Sequence, residues 1–142
     1  MRADASQDLL ASRREVWAFL AEPFHLSDWW PGLASVRPDR RGFAPGARWS
    51  LTGRAEPTLF RKAHASNLLL VREVQPLERF SFHLVSQRLD VDVRLSTVDE
   101  DHTRVTVTVE GPWRPEALGR PRALPRHALA RLKALVQTAA SL

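Results

Sequence analysis

The groups in this 142-residue chain that could move protons, attack carbon or hold a metal are few and scattered. Histidines stand at positions 25, 64, 83, 102 and 127, so no local H-x-x-x-H pair offers two ring nitrogens to one ion. Cysteine and tyrosine do not occur. That removes thiolate ligands, disulfides, a thiol nucleophile and a phenolic acid. The six glycines form no G-x-S-x-G elbow, phosphate loop or G-x-G-x-x-G fingerprint. These residues call for no metal and no cofactor.

Two arrangements merit weighing as acid/base machinery. Asp90 and Asp92, two apart, project from one face of any strand that carries them, as paired carboxylates would. That face is opposite to Val91 and Val93 and so is the wet one, where surface charge is the expected role. His83 shares the wet parity of its own strand, and His102 adjoins an acidic turn. Three candidates could reach an interior. His25 lies between two short helical segments, near a plausible pocket mouth, although a helix-cap or hydrogen-bonded loop histidine is the plainer reading. The other two are Arg72 and Glu73, of which parity permits one to face inward. A buried charge there is costly unless paired or bound to ligand.

The elements that must position these groups are written in the hydrophobic spacing. Residues 6–11 suit a short first strand. Ser12 with Glu15 three residues on is a capping-box pattern, followed by Val16, Trp17, Phe19 and Leu20 at helical spacing and ended by Pro23. Ser27-Asp28-Trp29-Trp30-Pro31-Gly32 predicts a second helical turn stopped by Pro-Gly. Residues 47–52, 79–85, 89–97 and 103–109 alternate with period two, the signature of an antiparallel sheet covered on one side.

Parity also fixes registers. Strands 89–97 and 103–109 both turn odd-numbered residues inward, so an odd loop must join them, and Asp99-Glu100-Asp101 fits. Strand 79–85 turns Phe80 and Phe82 inward, so an even loop at Ser86-Gln87 sets Phe82 opposite Val91 and Phe80 opposite Val93. Residues 68–74 are apolar on both parities and give no orientation. Toward the C-terminus, Pro125 suits the first turn of a helix running to Ala140, with Leu129, Leu132, Leu135, Val136 and Ala139 on one stripe. Glu116-Ala117-Leu118 reads as a separate leading turn, with Pro121 as a break or kink.

Composition bounds the rest. The length suits one domain over residues 1–142. No apolar run reaches the ~20 residues of a membrane span, and no signal-peptide stretch follows Met1, so the cytoplasm is the default expectation. Residues 1–110 carry 15 basic and 15 acidic groups, whereas residues 111–142 carry six basic groups and only Glu116. The net charge of +5 therefore resides in residues 111–142, most simply as a solvated face of the terminal helix. No aromatic-studded basic strand or zinc knuckle supports nucleic-acid binding.

Five local patterns, in order, resemble the START-like (SRPBCC, helix-grip) superfamily. They are Ser12-Arg13-Arg14-Glu15-Val16-Trp17-Ala18-Phe19-Leu20-Ala21-Glu22-Pro23 for its first helix, Trp30-Pro31 after the second, and Gly46-Ala47-Arg48-Trp49 for a glycine-led strand. Val71-Arg72-Glu73-Val74-Gln75-Pro76-Leu77-Glu78-Arg79-Phe80 matches the strand–Pro–strand corner, and Asp101-His102-Thr103-Arg104-Val105 the start of the last strand. The resemblance spans nearly the whole chain and is best to the polyketide cyclase/dehydrase-like branch. Asp28-Trp29-Trp30-Pro31 also looks like the heat-shock-protein activator-homology branch, whose usual paired glycine is here the single Gly46.

The resemblance implies an α+β helix-grip fold: a curved antiparallel sheet of six to seven strands around a long C-terminal helix, with two short helices after the first strand. It implies a small hydrophobic partner, lipid-like, aromatic or polyketide-like, held between sheet and helix. The residues expected to line that space are Trp49, Leu51, Leu70, Phe80, Phe82, Val93, Trp113, Leu129, Leu132 and Val136. Rings with few polar groups equally describe a filled core, and the resemblance favours the cavity. A non-catalytic carrier or sensor is the first expectation. A cyclase, aromatase or dehydratase using His25, Arg72 or Glu73 is the alternative. An interaction module presenting the basic helix or the Trp29-Trp30 pair is a further one.

Overall fold

The computed structural model describes residues 1–53, 66–112 and 120–140. In chain order they form β1 (Arg2–Leu9), α1 (Arg13–Leu20), a 3-10 turn (Pro23–His25), α2 (Leu26–Trp29), β2 (Leu33–Arg37), β3 (Arg48–Gly53), β4 (Ser66–Gln75), β5 (Arg79–Leu84), β6 (Leu89–Asp99), β7 (His102–Glu110) and α3 (Arg120–Ala140). The strands make one antiparallel sheet in the order β1-β7-β6-β5-β4-β3-β2. Helix α3 packs on β1 and β7 and is braced by α1 and α2. This is the helix-grip α+β architecture.

Local chemistry explains most boundaries. Ser12 caps α1: its hydroxyl accepts from the Glu15 N–H at 3.2 Å, and the Glu15 carboxylate accepts from the Ser12 N–H at 3.1 Å. The reciprocal pair satisfies two otherwise unpaired donors. Strands β5, β6 and β7 bury the expected face, with Phe80 opposite Val93, Phe82 opposite Val91, and Val93 opposite Val107.

The connections differ in detail. The β5–β6 loop holds four residues, Val85 to Arg88, between the Leu84–Leu89 pair, and its even count preserves the register. Between β6 and β7, Asp99 belongs to the strand and pairs with His102 beyond a bulge. Glu100-Asp101 is the turn, and the bulged residue supplies the odd count.

Several elements depart from expectation. β1 begins at Arg2 rather than residue 6, because it pairs with β7 along its whole length, from Arg2–Glu110 to Leu9–Thr103. β2 was not foreseen: it is a five-residue edge strand whose bulge between Leu33 and Ser35 interrupts any period of two. α3 starts at Arg120, so Pro125 lies inside the helix and is buried there. It has no N–H to donate to the Pro121 carbonyl four residues back. Residues 116–118 lie outside the described residues.

Candidate functional site between the sheet and the last helix

The sheet's inner face and α3 share one apolar cluster. Trp49 and Leu51 from β3, Phe80 and Phe82 from β5, Val93 from β6, and Leu129, Leu132 and Val136 from α3 all belong to it, each 0–2% exposed. A chain of rings runs through it. Trp29 meets Trp30 edge-on at 5.8 Å, Trp30 meets Phe82 at 5.7 Å, Phe82 lies 5.1 Å from Phe80, and Phe80 lies 6.0 Å from Trp49. The offset and T-shaped geometries are those ring quadrupoles favour. The Trp49 indole N–H, a donor that burial would otherwise strand, donates to the Gly42 carbonyl at 2.7 Å.

Two expected lining residues stand apart. Leu70 is only partly buried, and it lies across from Arg48 and His83, on the parity opposite to the fully buried Leu69. It belongs to the outer face, which a strand apolar on both parities could not reveal. Trp113 falls outside the described residues.

The charged candidates do not enter the cluster. β4 is bulged between Val71 and Glu73, so parity flips within the strand and both Arg72 and Glu73 are exposed. The choice of one inward charge therefore gives way to none, since the extra residue is absorbed on the solvent side. Both line a groove of about 390 Å³ on the outer face, with Arg79, Asp90 and Asp92. There Asp92 joins Arg79 at 2.5 Å and Arg94 at 2.6 Å, and Arg79 also reaches Glu73 at 2.9 Å. The Arg79 guanidinium is held further into its charged range chiefly by its hydrogen bond to Asp92. His83 pairs with Asp90 at 2.8 Å and His102 with Asp99 at 2.7 Å, as outer-face residues. His102 lowers the Asp99 carboxyl below its usual range, mainly by that hydrogen bond.

His25 is a positioned loop histidine. Its Nδ1 lies 2.8 Å from the Phe19 carbonyl, which can only accept, so Nδ1 carries the proton. The ring stacks on Phe19 at 4.1 Å. It borders a recess of about 320 Å³ with Glu15, Ala18, Phe19, Val136 and Ala139, and none of the inner-face rings lines that recess. Trp29 and Trp30 are 1% and 2% exposed, which removes the exposed tryptophan pair as a docking surface.

Sequence reasoning missed Phe43. It sits on the β2–β3 connection, partly buried, 4.5 Å from Phe80, 6.2 Å from Trp49 and edge-on to Trp17 at 5.7 Å. A lone aromatic between two glycines has no periodicity to betray it. Among the described residues, no group of three or more His, Asp or Glu could hold a metal.

The fold is matched in known proteins. The chain is similar to a structure from Nitrosospira multiformis at 19% identity, covering all of both chains with a TM-score of 0.73. It is also similar to one from Nitrosomonas europaea at 16% identity, covering 100% of this chain and 97% of that one, TM-score 0.74. The di-domain ARO/CYC BexL from the BE-7585A biosynthetic pathway matches at 20% identity and TM-score 0.73, over 96% of this chain and 46% of that one. At these identities the likeness establishes the fold. No curated protein sequence matches the chain. The family model described as activator of Hsp90 ATPase homolog 1-like protein matches residues 10–137, and the chain, with its START-like fold, belongs to that family.

Proposed function

We propose that this protein binds a small hydrophobic molecule between the inner face of its sheet and α3, and does so without catalysing a reaction. One observation carries the reading. Among the described residues the buried set is apolar, with only Ser81 and Thr103 as polar members and no ionisable side chain. Such a lining rewards burial of an apolar ligand and supplies no positioned acid or base. The family's fold, which is a ligand-binding one, supports it.

The inner rings already pack against one another, so a ligand enters by displacing side chains, and its binding must stabilise a rearranged core. The test is a thermal-shift panel of fatty acids, aromatic acids and polycyclic phenols, followed by native mass spectrometry. A saturable rise in Tm with one compound bound per chain is expected. If no apolar compound raises Tm, the reading fails.

Likeness to BexL favours the cyclase or aromatase reading as second choice. Its acid or base would have to come from outside His25, Arg72 and Glu73 as they stand. Turnover of a polyketide-like substrate by the wild-type protein would restore it. We further propose that the protein works in the cytoplasm. Among the described residues no helix is long and apolar enough to cross a membrane.

A further inference from the structure

We infer that the niche now filled by the Phe43 ring is the recognition subsite for a planar aromatic group of the ligand, and that Phe43 is a displaceable internal occupant. The inference rests on the apolar-binding reading above and gives it a ligand class.

The niche has three aromatic walls: Phe80 at 4.5 Å and tilted, Trp49 at 6.2 Å, and Trp17 edge-on at 5.7 Å. Such walls favour a ring over an aliphatic group of equal size, because ring edges and faces carry opposite partial charge. Phe43 differs from its neighbours in what holds it. Trp49 and Phe80 are fixed in paired strands and 0–1% exposed, whereas Phe43 is partly exposed and lies on a connection.

That connection is tethered on either side of Phe43. The Asp39 carboxylate accepts from the Arg41 N–H at 3.1 Å and the Arg48 N–H at 2.9 Å, and the Gly42 carbonyl accepts from Trp49 at 2.7 Å. On the other side the Gly46 N–H donates to the Val71 carbonyl at 2.9 Å. Between the tethers lies Gly42-Phe43-Ala44-Pro45-Gly46, with both glycines at positive φ, 60° and 86°. Glycine crosses φ space with little steric cost, so residues 43–45 can swing as a short flap about the two glycines. The backbone bond lost in that motion is Ala47 N–H to the Ala44 carbonyl, at 3.1 Å.

The probes are toluene and methylcyclohexane, which share a seven-carbon skeleton and differ in aromaticity and planarity. Binding is followed by NMR at the Trp17 and Trp49 indole N–H and the amides of residues 42–46. Toluene is expected to shift these signals saturably in the wild-type protein. Methylcyclohexane should bind about 2- to 10-fold more weakly. Phe43→Ala removes the competing ring and should tighten toluene binding by roughly tenfold or more. Phe43→Leu, which keeps an apolar plug, guards against a folding failure and should fall between the two.

Equal affinity for both probes, or no gain in either variant, overturns the inference. Binding to Phe43→Ala alone overturns displacement, leaving Phe43 a fixed core residue. Shifts confined to α3 and β6 overturn the niche while leaving the apolar-binding reading intact. A wild-type protein that binds no compound of the thermal-shift panel overturns that reading separately.

Discussion

Replacing Phe82 by alanine asks directly whether the space between sheet and helix is filled. Phe82 is 1% exposed, flanked by Phe80 at 5.1 Å and Trp30 at 5.7 Å, and paired across the sheet with Val71 and Val91. Losing the buried ring forfeits about 2 kcal/mol of transfer free energy. A residual cavity of about 50–100 Å³ adds roughly 1–2 kcal/mol, and the two ring contacts about 1 kcal/mol. Partial relaxation of the neighbours brings the expected cost to about 4 kcal/mol. For a domain of this size that lowers Tm by roughly 10–20 °C. Urea unfolding followed by tryptophan fluorescence checks it, with an unchanged m-value showing that the cost is one of stability. A loss below about 1 kcal/mol refutes the reasoning. It would mean that the ring borders an open cavity in solution, so that its removal opens no new void.

Thr103→Val should cost about 1–2 kcal/mol, since the fully buried Thr103 hydroxyl donates to the Ala11 carbonyl at 2.9 Å and valine leaves that acceptor bare. Equilibrium unfolding measures it. Ser12→Ala breaks the capping box of α1 and should cost about 1 kcal/mol, read as a lower urea midpoint. Asp39 is held below the usual carboxylate range, first by the Arg48 N–H and then by the Arg41 and Gly42 N–H groups. A depressed folded-state value means the contribution is complete above the unfolded pKa near 4 and is lost as pH falls through the folded value. The stability gap between wild type and Asp39→Asn should therefore narrow as pH falls below about 4, as followed by unfolding midpoints. Arg72→Ala and Glu73→Gln, both exposed, should change stability by less than about 0.5 kcal/mol, and should leave any apolar ligand's affinity unchanged by calorimetry.

What could be read from the residues follows the physics of each element. In β5, β6 and β7 one face is wet, so apolar and polar residues alternate and the loop counts fix the register. That is why Phe80–Val93 and Phe82–Val91 were legible before any coordinates. β4 is apolar on both parities and bulged between Val71 and Glu73. A bulge is a one-residue phase change that periodicity cannot locate, and it hid the outward turn of Arg72 and Glu73, while the doubly apolar run hid that of Leu70. β2 is an edge strand with two buried residues, Leu33 and Val36, out of phase. Phe43 joins the ring cluster through tertiary packing of a connection, for which no local spacing exists. His25 was legible as a residue of interest, but only its bond to the Phe19 carbonyl says what the ring does.

The pairing of β1 with β7 has a consequence for the order in which the protein forms. Ser6 hydrogen-bonds Thr106, its cross-strand partner 100 residues along the chain, at 2.8 Å. Closing so long a loop costs entropy before the contact repays it, which makes this pairing a slow step of folding. During synthesis β1 leaves the ribosome ahead of β7 and waits roughly 5–20 s for it to follow. Its sequence suits the wait: Arg2, Asp4, Ser6 and Asp8 face solvent, and Leu9 is its one large aliphatic residue. A strand that must remain single for seconds is here made too polar to find the wrong partner.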